Sequence, residues 1–198
     1  MLRSRKIKII IGFIVVVAIG YGIARWTEGS SGVPEAFTTA REQGALIAEN
    51  IVTLSGQSTV TLEQVNELDK EGNYKAALAL TTSVVSESSA IRTQAVSLSG
   101  QIATMTQALS GISDFNARQA ALEAISNQLA LLNQLVGYSA DLGQLLDVLR
   151  NRFTGASGTS VQVDALVNQI NTDVNAVNNF NNQAKQAMSK FDSVESGT

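Results

Sequence analysis

The sequence contains neither cysteine nor histidine among its 198 residues. A chain without these side chains has no thiol nucleophile, no imidazole general base and no ligands for a zinc site of the Cys/His type. Acid–base catalysis by carboxylates would need two acidic side chains that converge in one cleft, and no spacing in the sequence predicts such a pair. We therefore expect a protein that is not an enzyme and that binds no cofactor or metal.

Charged residues are scarce, at 16% of the chain, and they are unevenly distributed. Five of the 14 basic residues precede Trp26, whereas all 17 acidic residues follow it, so residues 27–198 carry a net charge of −8. Nucleic-acid binding requires a basic surface, which this acidic region does not offer. We therefore expect no nucleic-acid partner.

The basic residues near the start flank a long apolar run. Residues 9–24 are uncharged, and the apolar segment as a whole covers residues 7–26, about the 20 residues that a helix needs to cross a bilayer. Four cations precede the run and one follows it, so the positive-inside rule predicts a cytoplasmic N-terminus and an extracytoplasmic body. The sequence thus predicts a single-pass signal-anchor of the plasma (inner) membrane over residues 1–26, followed by a linker over residues 27–33. The alternative is a signal peptide cleaved near Ala24, which would release a secreted protein.

Residues 34–198 are predicted to form a helical bundle. Glycine-containing segments divide this region into pieces of roughly 35–40 residues, and these segments lie at 71–73, 110–113 and 154–158. Near-equal lengths joined by short turns are typical of an antiparallel up-down bundle of about four long helices, so the predicted fold class is all-α.

The first of these helices is predicted to break near residues 55–60. Gly56 disfavours a helix, and the sequence from Thr61 to Gln64 fits the capping box that often begins one. We therefore expect two shorter helices in place of one.

Residues in three of the pieces recur at alternating spacings of three and four, the pattern of helices that pack along a coiled-coil seam. We expect these seam residues to be buried. In the second piece they are Val84, Ser88, Ile91, Ala95, Leu98, Ile102, Met105, Leu109 and Ile112. In the fourth piece they are Val163, Val167, Ile170, Val174, Val177, Asn181, Ala184, Met188 and Phe191. In the third piece they are Phe115, Arg118, Leu122, Ile125, Leu129, Leu132 and Val136, and the pattern then changes phase between Gly137 and Gly143.

Two groups of polar side chains are candidates for a binding site. If the helices fold back at their turns, Ser58, Ser88 and Ser139 lie at similar heights and form a polar level in the middle of the bundle. These serines would either line a pocket for a small ligand or donate to their own helix carbonyls and permit close packing. On the last helix, five asparagines with spacings of three and four form one strip: Asn168, Asn171, Asn175, Asn178 and Asn182. This strip would be either a hydrogen-bonding face for a glycan or partner helix, or an ordinary solvated face.

Two resemblances bear on the function. Residues 71–78 resemble the Gly-x-Tyr-x-x-Ala-Leu stretch of tetratricopeptide-repeat helices, but the stretch occurs once, so it implies only a helical-hairpin turn. The plan of one membrane helix followed by a long-helix extracytoplasmic bundle resembles the sensor halves of bacterial chemoreceptors, without their second membrane segment. 

From these observations we expect a membrane-anchored, non-enzymatic envelope protein. It would contact the lipid bilayer through residues 7–26 and act as an interaction or scaffold module, through a protein partner or through self-association. The alternative is a sensor-like extracytoplasmic four-helix bundle that binds a small molecule or a glycan.

Overall fold

The computed structural model describes residues 32–155 and 160–196 of the chain. These residues form four helices: α1 (Glu35–Glu71), α2 (Tyr74–Ala108), α3 (Phe115–Phe153) and α4 (Ser160–Ser196). The helices have 35 to 39 residues each, which corresponds to a length of about 55 Å. The described part of the chain contains no β-strand, and its helices pack as a bundle, so the prediction of an all-helical bundle is confirmed.

The turns between the helices fall in the predicted glycine-containing segments. α1 ends at Gly72, whose φ of 75° lies in the left-handed region that glycine adopts without a steric cost. The backbone N–H groups of Gly72 and Asn73 donate to carbonyl oxygens of the last turn of α1, at 3.1 and 2.8 Å. These bonds satisfy carbonyls that the end of a helix leaves unpaired. After a 3₁₀ turn at Leu109–Gly111, α3 begins where the Asp114 carboxylate accepts the backbone N–H of Ala117 at 2.7 Å.

α1 is one continuous helix, so the break predicted near residues 55–60 is wrong. A buried stripe runs through this region at spacings of three and four: Ile51, Ser55, Ser58, Leu62 and Val65. Because this stripe is packed in the core, burial fixes the helical backbone even though Gly56 is a poor helix former. Thr61 does not cap a helix, since its hydroxyl donates to the Gln57 carbonyl oxygen one turn earlier, at 3.0 Å.

The seams predicted for α2 and α4 are confirmed. All of their residues are buried except Leu109, which is partly buried. These two helices therefore place in the core the face that their apolar spacing predicts.

The seam predicted for α3 is confirmed at Ile125 and Leu132, which are buried, and is wrong at most of its other positions. Phe115, Leu122, Leu129 and Val136 are 46–67% exposed. The buried face keeps one alternation of four and three along the helix, without a phase change near residues 137–143: Ala117, Ala121, Ala124, Gln128, Leu131, Leu135, Tyr138, Leu142, Leu145 and Leu149. The physical reason is that leucines in the C-terminal half of α3 set the rotation of the helix about its axis. The N-terminal half of α3 has the same rotation, which places alanines in the core.

Contacts at both ends of the bundle establish its up-down topology. At one end the rings of Phe37, in the first turn of α1, and Phe191, near the end of α4, have centroids 5.3 Å apart. At the other end Nη2 of Arg152, in the last turn of α3, donates to both carboxylate oxygens of Asp69, in the last turn of α1, at 3.1 and 2.9 Å. α1 is therefore antiparallel to α4 and runs in the same direction as α3.

The membrane anchor predicted over residues 1–26 lies outside the described residues, as does most of the predicted linker. Within residues 32–155 and 160–196, no helix is both long and apolar enough to cross a bilayer.

Candidate functional site

The three serines of the predicted mid-bundle level are all buried, and two of them contact each other. Ser58, Ser88 and Ser139 are 0%, 6% and 3% exposed. The hydroxyl oxygens of Ser88 and Ser139 are 3.2 Å apart, and each lies 3.3 Å from the backbone carbonyl oxygen of the other serine. These hydroxyls thus bridge α2 and α3, rather than donating to carbonyls of their own helices, and they hold the two backbones close together.

Ser58 takes part in a second polar contact, between α1 and α2. Its hydroxyl donates to the Glu87 carboxylate at 2.8 Å. Burial raises the pKa of the Tyr138 phenol on α3, and the negative charge of Glu87 raises it further. The phenol therefore stays neutral at physiological pH.

A pair of carboxyl groups lies between α3 and α4. Asp173 is 6% exposed. Burial raises the pKa of its carboxyl group, and the neighbouring Asp141 raises it further. Gln169 donates to Oδ1 of Asp173 at 3.2 Å, which opposes the rise. The other carboxylate oxygen, Oδ2, is buried and has no hydrogen-bond partner among the described residues, so a negative charge there is poorly compensated.

Sequence reasoning found the serines but missed Glu87 and Tyr138 beside them, and it missed the neighbouring carboxyl groups of Asp141 and Asp173. Position in the sequence does not identify them, because the rotation of a helix decides whether a residue beside its buried face meets a neighbouring helix or the solvent. In residues 32–155 and 160–196, no three or more His, Cys, Asp or Glu side chains are grouped so that they could hold a metal ion.

The five asparagines of the predicted strip on α4 do not share one environment. Asn168, Asn175 and Asn182 are exposed, whereas Asn171 and Asn178 are half-buried. The side-chain oxygen of Asn178 is buried and accepts no hydrogen bond from another described residue. The strip therefore presents three amide groups to solvent, at intervals of about 10 Å along the helix.

α3 carries a row of exposed apolar side chains that sequence reasoning had assigned to the core. Of the ten large apolar side chains that are exposed in the described residues, four lie on α3 at intervals of seven. We call them the α3 row: Phe115 (67% exposed), Leu122 (53%), Leu129 (46%) and Val136 (51%). Beside this row runs a second row of exposed, uncharged residues, here called the polar row: Gln119, Ser126, Asn133 and Ala140. Each row extends for about 32 Å along the helix.

A surface groove of about 560 Å³ borders these rows between α3 and α4. Four amide side chains contribute to its lining: Gln119, Asn127, Gln183 and Gln186. Leu122 and Ala187 add apolar surface, and Glu123 and Lys190 add charges of opposite sign. None of the five asparagines of the predicted strip lines this groove.

No family model, curated protein or solved structure gives a significant match to the chain. The features that bear on function are therefore the mid-bundle polar contacts, the α3 row with its polar row, and the amide-lined groove.

Proposed function

We propose that the chain is a non-enzymatic protein of the cell envelope, anchored in the plasma (inner) membrane by residues 7–26, whose bundle is an interaction or scaffold module outside the membrane. The observation that carries this proposal is the α3 row, which exposes four large apolar side chains along one helix. Exposed apolar surface that is rimmed by uncharged polar residues is typical of a protein-interaction site.

The construction of the bundle supports a role as a rigid spacer. Three of its buried hydroxyls have partners on neighbouring helices, in the contacts of Ser88 with Ser139 and of Ser58 with Glu87. Buried polar groups with fixed partners favour one arrangement of the helices over others. A bundle about 55 Å long that keeps one arrangement can hold partners at a fixed distance from a membrane.

The path of the chain into the bundle also fits the proposed anchor. A Cβ atom on Gly111, in the turn between α2 and α3, would lie 2.5 Å from Cγ of Pro34. The start of α1 is therefore packed against the turn that precedes α3. If residues 7–26 span the membrane, the α3 row begins with Phe115 at the membrane-proximal end of the bundle.

Protease accessibility of the full-length chain tests this proposal. In whole cells with a permeable outer layer, external protease should digest the bundle, whereas in inverted inner-membrane vesicles the bundle should be protected. A cytoplasmic marker protein, digested only in lysed cells, is the control for membrane integrity. Digestion of the bundle only in inverted vesicles would show the opposite topology, and a shortened product released into the medium would show the cleaved, secreted form.

A second candidate function, binding of a glycan or another small polar molecule, is favoured by the amide-lined groove between α3 and α4. Amide side chains donate to and accept from sugar hydroxyls, and Leu122 offers an apolar surface for a ring face. A panel of oligosaccharides tested by thermal shift would reveal such binding, because a ligand of the folded state raises the unfolding midpoint. The shift should disappear in Gln183→Ala and persist in the matched variant Asn175→Ala, which lies on α4 outside the groove.

A further inference from the structure

We propose that the α3 row is a self-association surface, at which α3 packs against α3 of a second copy of the chain as a parallel, in-register coiled coil. This inference rests on the proposed function, because two copies that are anchored in one membrane at the same end present their α3 helices in parallel. It names the partner that the proposed interaction module takes.

The α3 row and the polar row together have the spacing of a coiled-coil interface. Residues of the two rows alternate at intervals of four and three from Phe115 to Ala140. In heptad terms the α3 row occupies the d positions and the polar row occupies the a positions. The d positions thus carry large apolar residues, including Leu122 and Leu129, whereas the a positions carry small or uncharged polar ones. Asparagine at an a position, here Asn133, specifies register because it meets its own copy across the interface. Such a pairing leaves the buried face of α3 in its own bundle.

Charge complementarity selects the parallel orientation. Between Phe115 and Ala140, the e positions carry one charged residue, Glu123, and the g positions carry one, Arg118. A parallel coiled coil pairs each g residue with the e residue five positions later in the partner helix, which brings Arg118 of one copy to Glu123 of the other. An antiparallel pairing would match e with e and g with g, so neither charge would meet its opposite.

The two side chains are available for this contact. Arg118 is half-buried and forms no ion pair with another residue in the described part of the chain. Glu123 is exposed, and its carboxylate comes no closer than 4.0 Å to the Lys190 ammonium group. A contact at that distance between exposed groups contributes little to stability. Glu123 can therefore pair with Arg118 of another copy without losing a strong interaction.

Disulfide crosslinking of single-cysteine variants tests the proposal directly, because the natural chain has no cysteine. The variant Val136→Cys, made in the full-length chain and oxidised in its membrane, should form a covalent dimer at a rate at least about tenfold above that of Val60→Cys. Val60 is the matched control, a valine of nearly equal exposure (49%) on α1. Equal rates for the two variants would overturn the proposal.

The orientation is tested with mixed samples. Leu122→Cys and Val136→Cys should each crosslink to their own copies but not to each other, because in a parallel register these positions are about 21 Å apart along the helix. A mixed Leu122–Val136 crosslink as the main product would show antiparallel pairing and overturn the parallel arrangement.

Charge exchange tests the predicted ion pair. In full-length protein reconstituted in lipid nanodiscs or detergent, Arg118→Glu and Glu123→Arg should each raise the dissociation constant of the dimer roughly two- to fivefold. The double variant should restore the affinity, whereas the control Arg92→Glu, an exposed change on α2, should have no effect. If the double variant is no better than the singles while circular dichroism shows native helix content in all of them, the pairing is disproved.

The outcomes also separate this inference from the proposed function. If the chain stays monomeric and the double variant Leu122→Gln/Leu129→Gln loses the capture of a different envelope protein, the inference falls and the interaction module stands. If crosslinking succeeds through Val136 while protease digestion places the bundle in the cytoplasm, the self-association stands and the proposed envelope location falls.

Discussion

The ion pair between Asp69 and Arg152 is expected to make a measurable contribution to the free energy of unfolding. The guanidinium nitrogen Nη2 lies 3.1 and 2.9 Å from the two carboxylate oxygens, and the Asp69 and Arg152 side chains are 7% and 23% exposed. The pair joins the last turn of α1 to the last turn of α3, two helices that are not consecutive in the chain. Asp69→Ala would leave a largely buried guanidinium group without a carboxylate.

The expected magnitude follows from the burial of the two groups. Charges about 4 Å apart attract by about 4 kcal/mol at an effective dielectric constant of about 20. Ordering the arginine side chain opposes this by about 2 kcal/mol, which leaves a coupling energy of about 2 kcal/mol. Asp69→Ala alone should cost more, about 3 kcal/mol, because it leaves Arg152 desolvated and unpaired. For a chain of this size that loss lowers the melting temperature by about 6–12 °C.

A double-mutant cycle measures the coupling energy. The full-length chain, Asp69→Ala, Arg152→Ala and the double variant would be unfolded by denaturant, and unfolding would be followed by circular dichroism. The control is the pair of Lys70 and Glu67, one turn apart on α1, whose side chains are 31% and 66% exposed. Because this pair is more exposed to solvent, the control cycle should give about 0.5 kcal/mol or less. A coupling energy below about 0.5 kcal/mol for Asp69 and Arg152 would refute the reasoning from burial.

Three further predictions concern the interior of the bundle and its turns. Burial and the neighbouring Asp141 raise the pKa of Asp173 above its unfolded-state value, so its stabilising contribution is present below the unfolded-state pKa and is lost as the pH rises through the folded-state pKa. Asp173→Asn should therefore raise the melting temperature at neutral pH, and thermal melts should show the gain shrinking toward about pH 4. Gly111→Ala should lower the free energy of unfolding by about 1–3 kcal/mol, because the new Cβ would lie 2.5 Å from Pro34 Cγ. Gly56→Ala should instead raise it by about 0.5–1 kcal/mol, since a Cβ there meets nothing within 4 Å in a continuous helix, and a loss of stability in the same denaturant titration would contradict the unbroken α1.

The helices α2 and α4 were predictable from sequence because each carries a single apolar stripe. On α4 the buried residues alternate with polar ones, so only one rotation of the helix buries apolar surface. The turn after α1 was predictable because Gly72 adopts a left-handed backbone conformation, which glycine reaches at less steric cost than other residues.

The prediction of a break in α1 was wrong because it rested on local sequence signals and left out the packing of the helix in the core. Gly56 and the sequence from Thr61 to Gln64 favour a helix boundary by about 1 kcal/mol each. Burying side chains such as Ile51, Leu62 and Val65 contributes about 1.5–3 kcal/mol each. The tertiary contribution is larger, so the helix continues through the glycine.

The mid-bundle contacts could be predicted only in part. Once the turn between α2 and α3 is known, counting residues away from it along both helices places Ser88 and Ser139 at the same height in the bundle. The partners Glu87 and Tyr138 could not be inferred in the same way, because a residue next to the seam faces a neighbouring helix or the solvent according to the rotation of its helix. The rotation is fixed by packing in three dimensions, which apolar spacing determines only where one stripe dominates.

On α3 two apolar stripes compete, and the choice between them has a consequence for the isolated chain. Between residues 117 and 124 the buried face of α3 consists of alanines, whereas Phe115 and Leu122 lie outside. Burying a leucine or a phenylalanine contributes about 1.5–3 kcal/mol, and alanine offers far less surface to bury. The single chain therefore leaves much of the apolar surface in the first half of α3 exposed. A parallel pair of α3 helices would bury it, since the α3 row would meet its own copy while the leucines of the second half stay in the bundle. In the proposed assembly the residues from Phe115 to Val136 would be interior, between chains rather than within one, and the exposed apolar side chains of α3 would then have a partner.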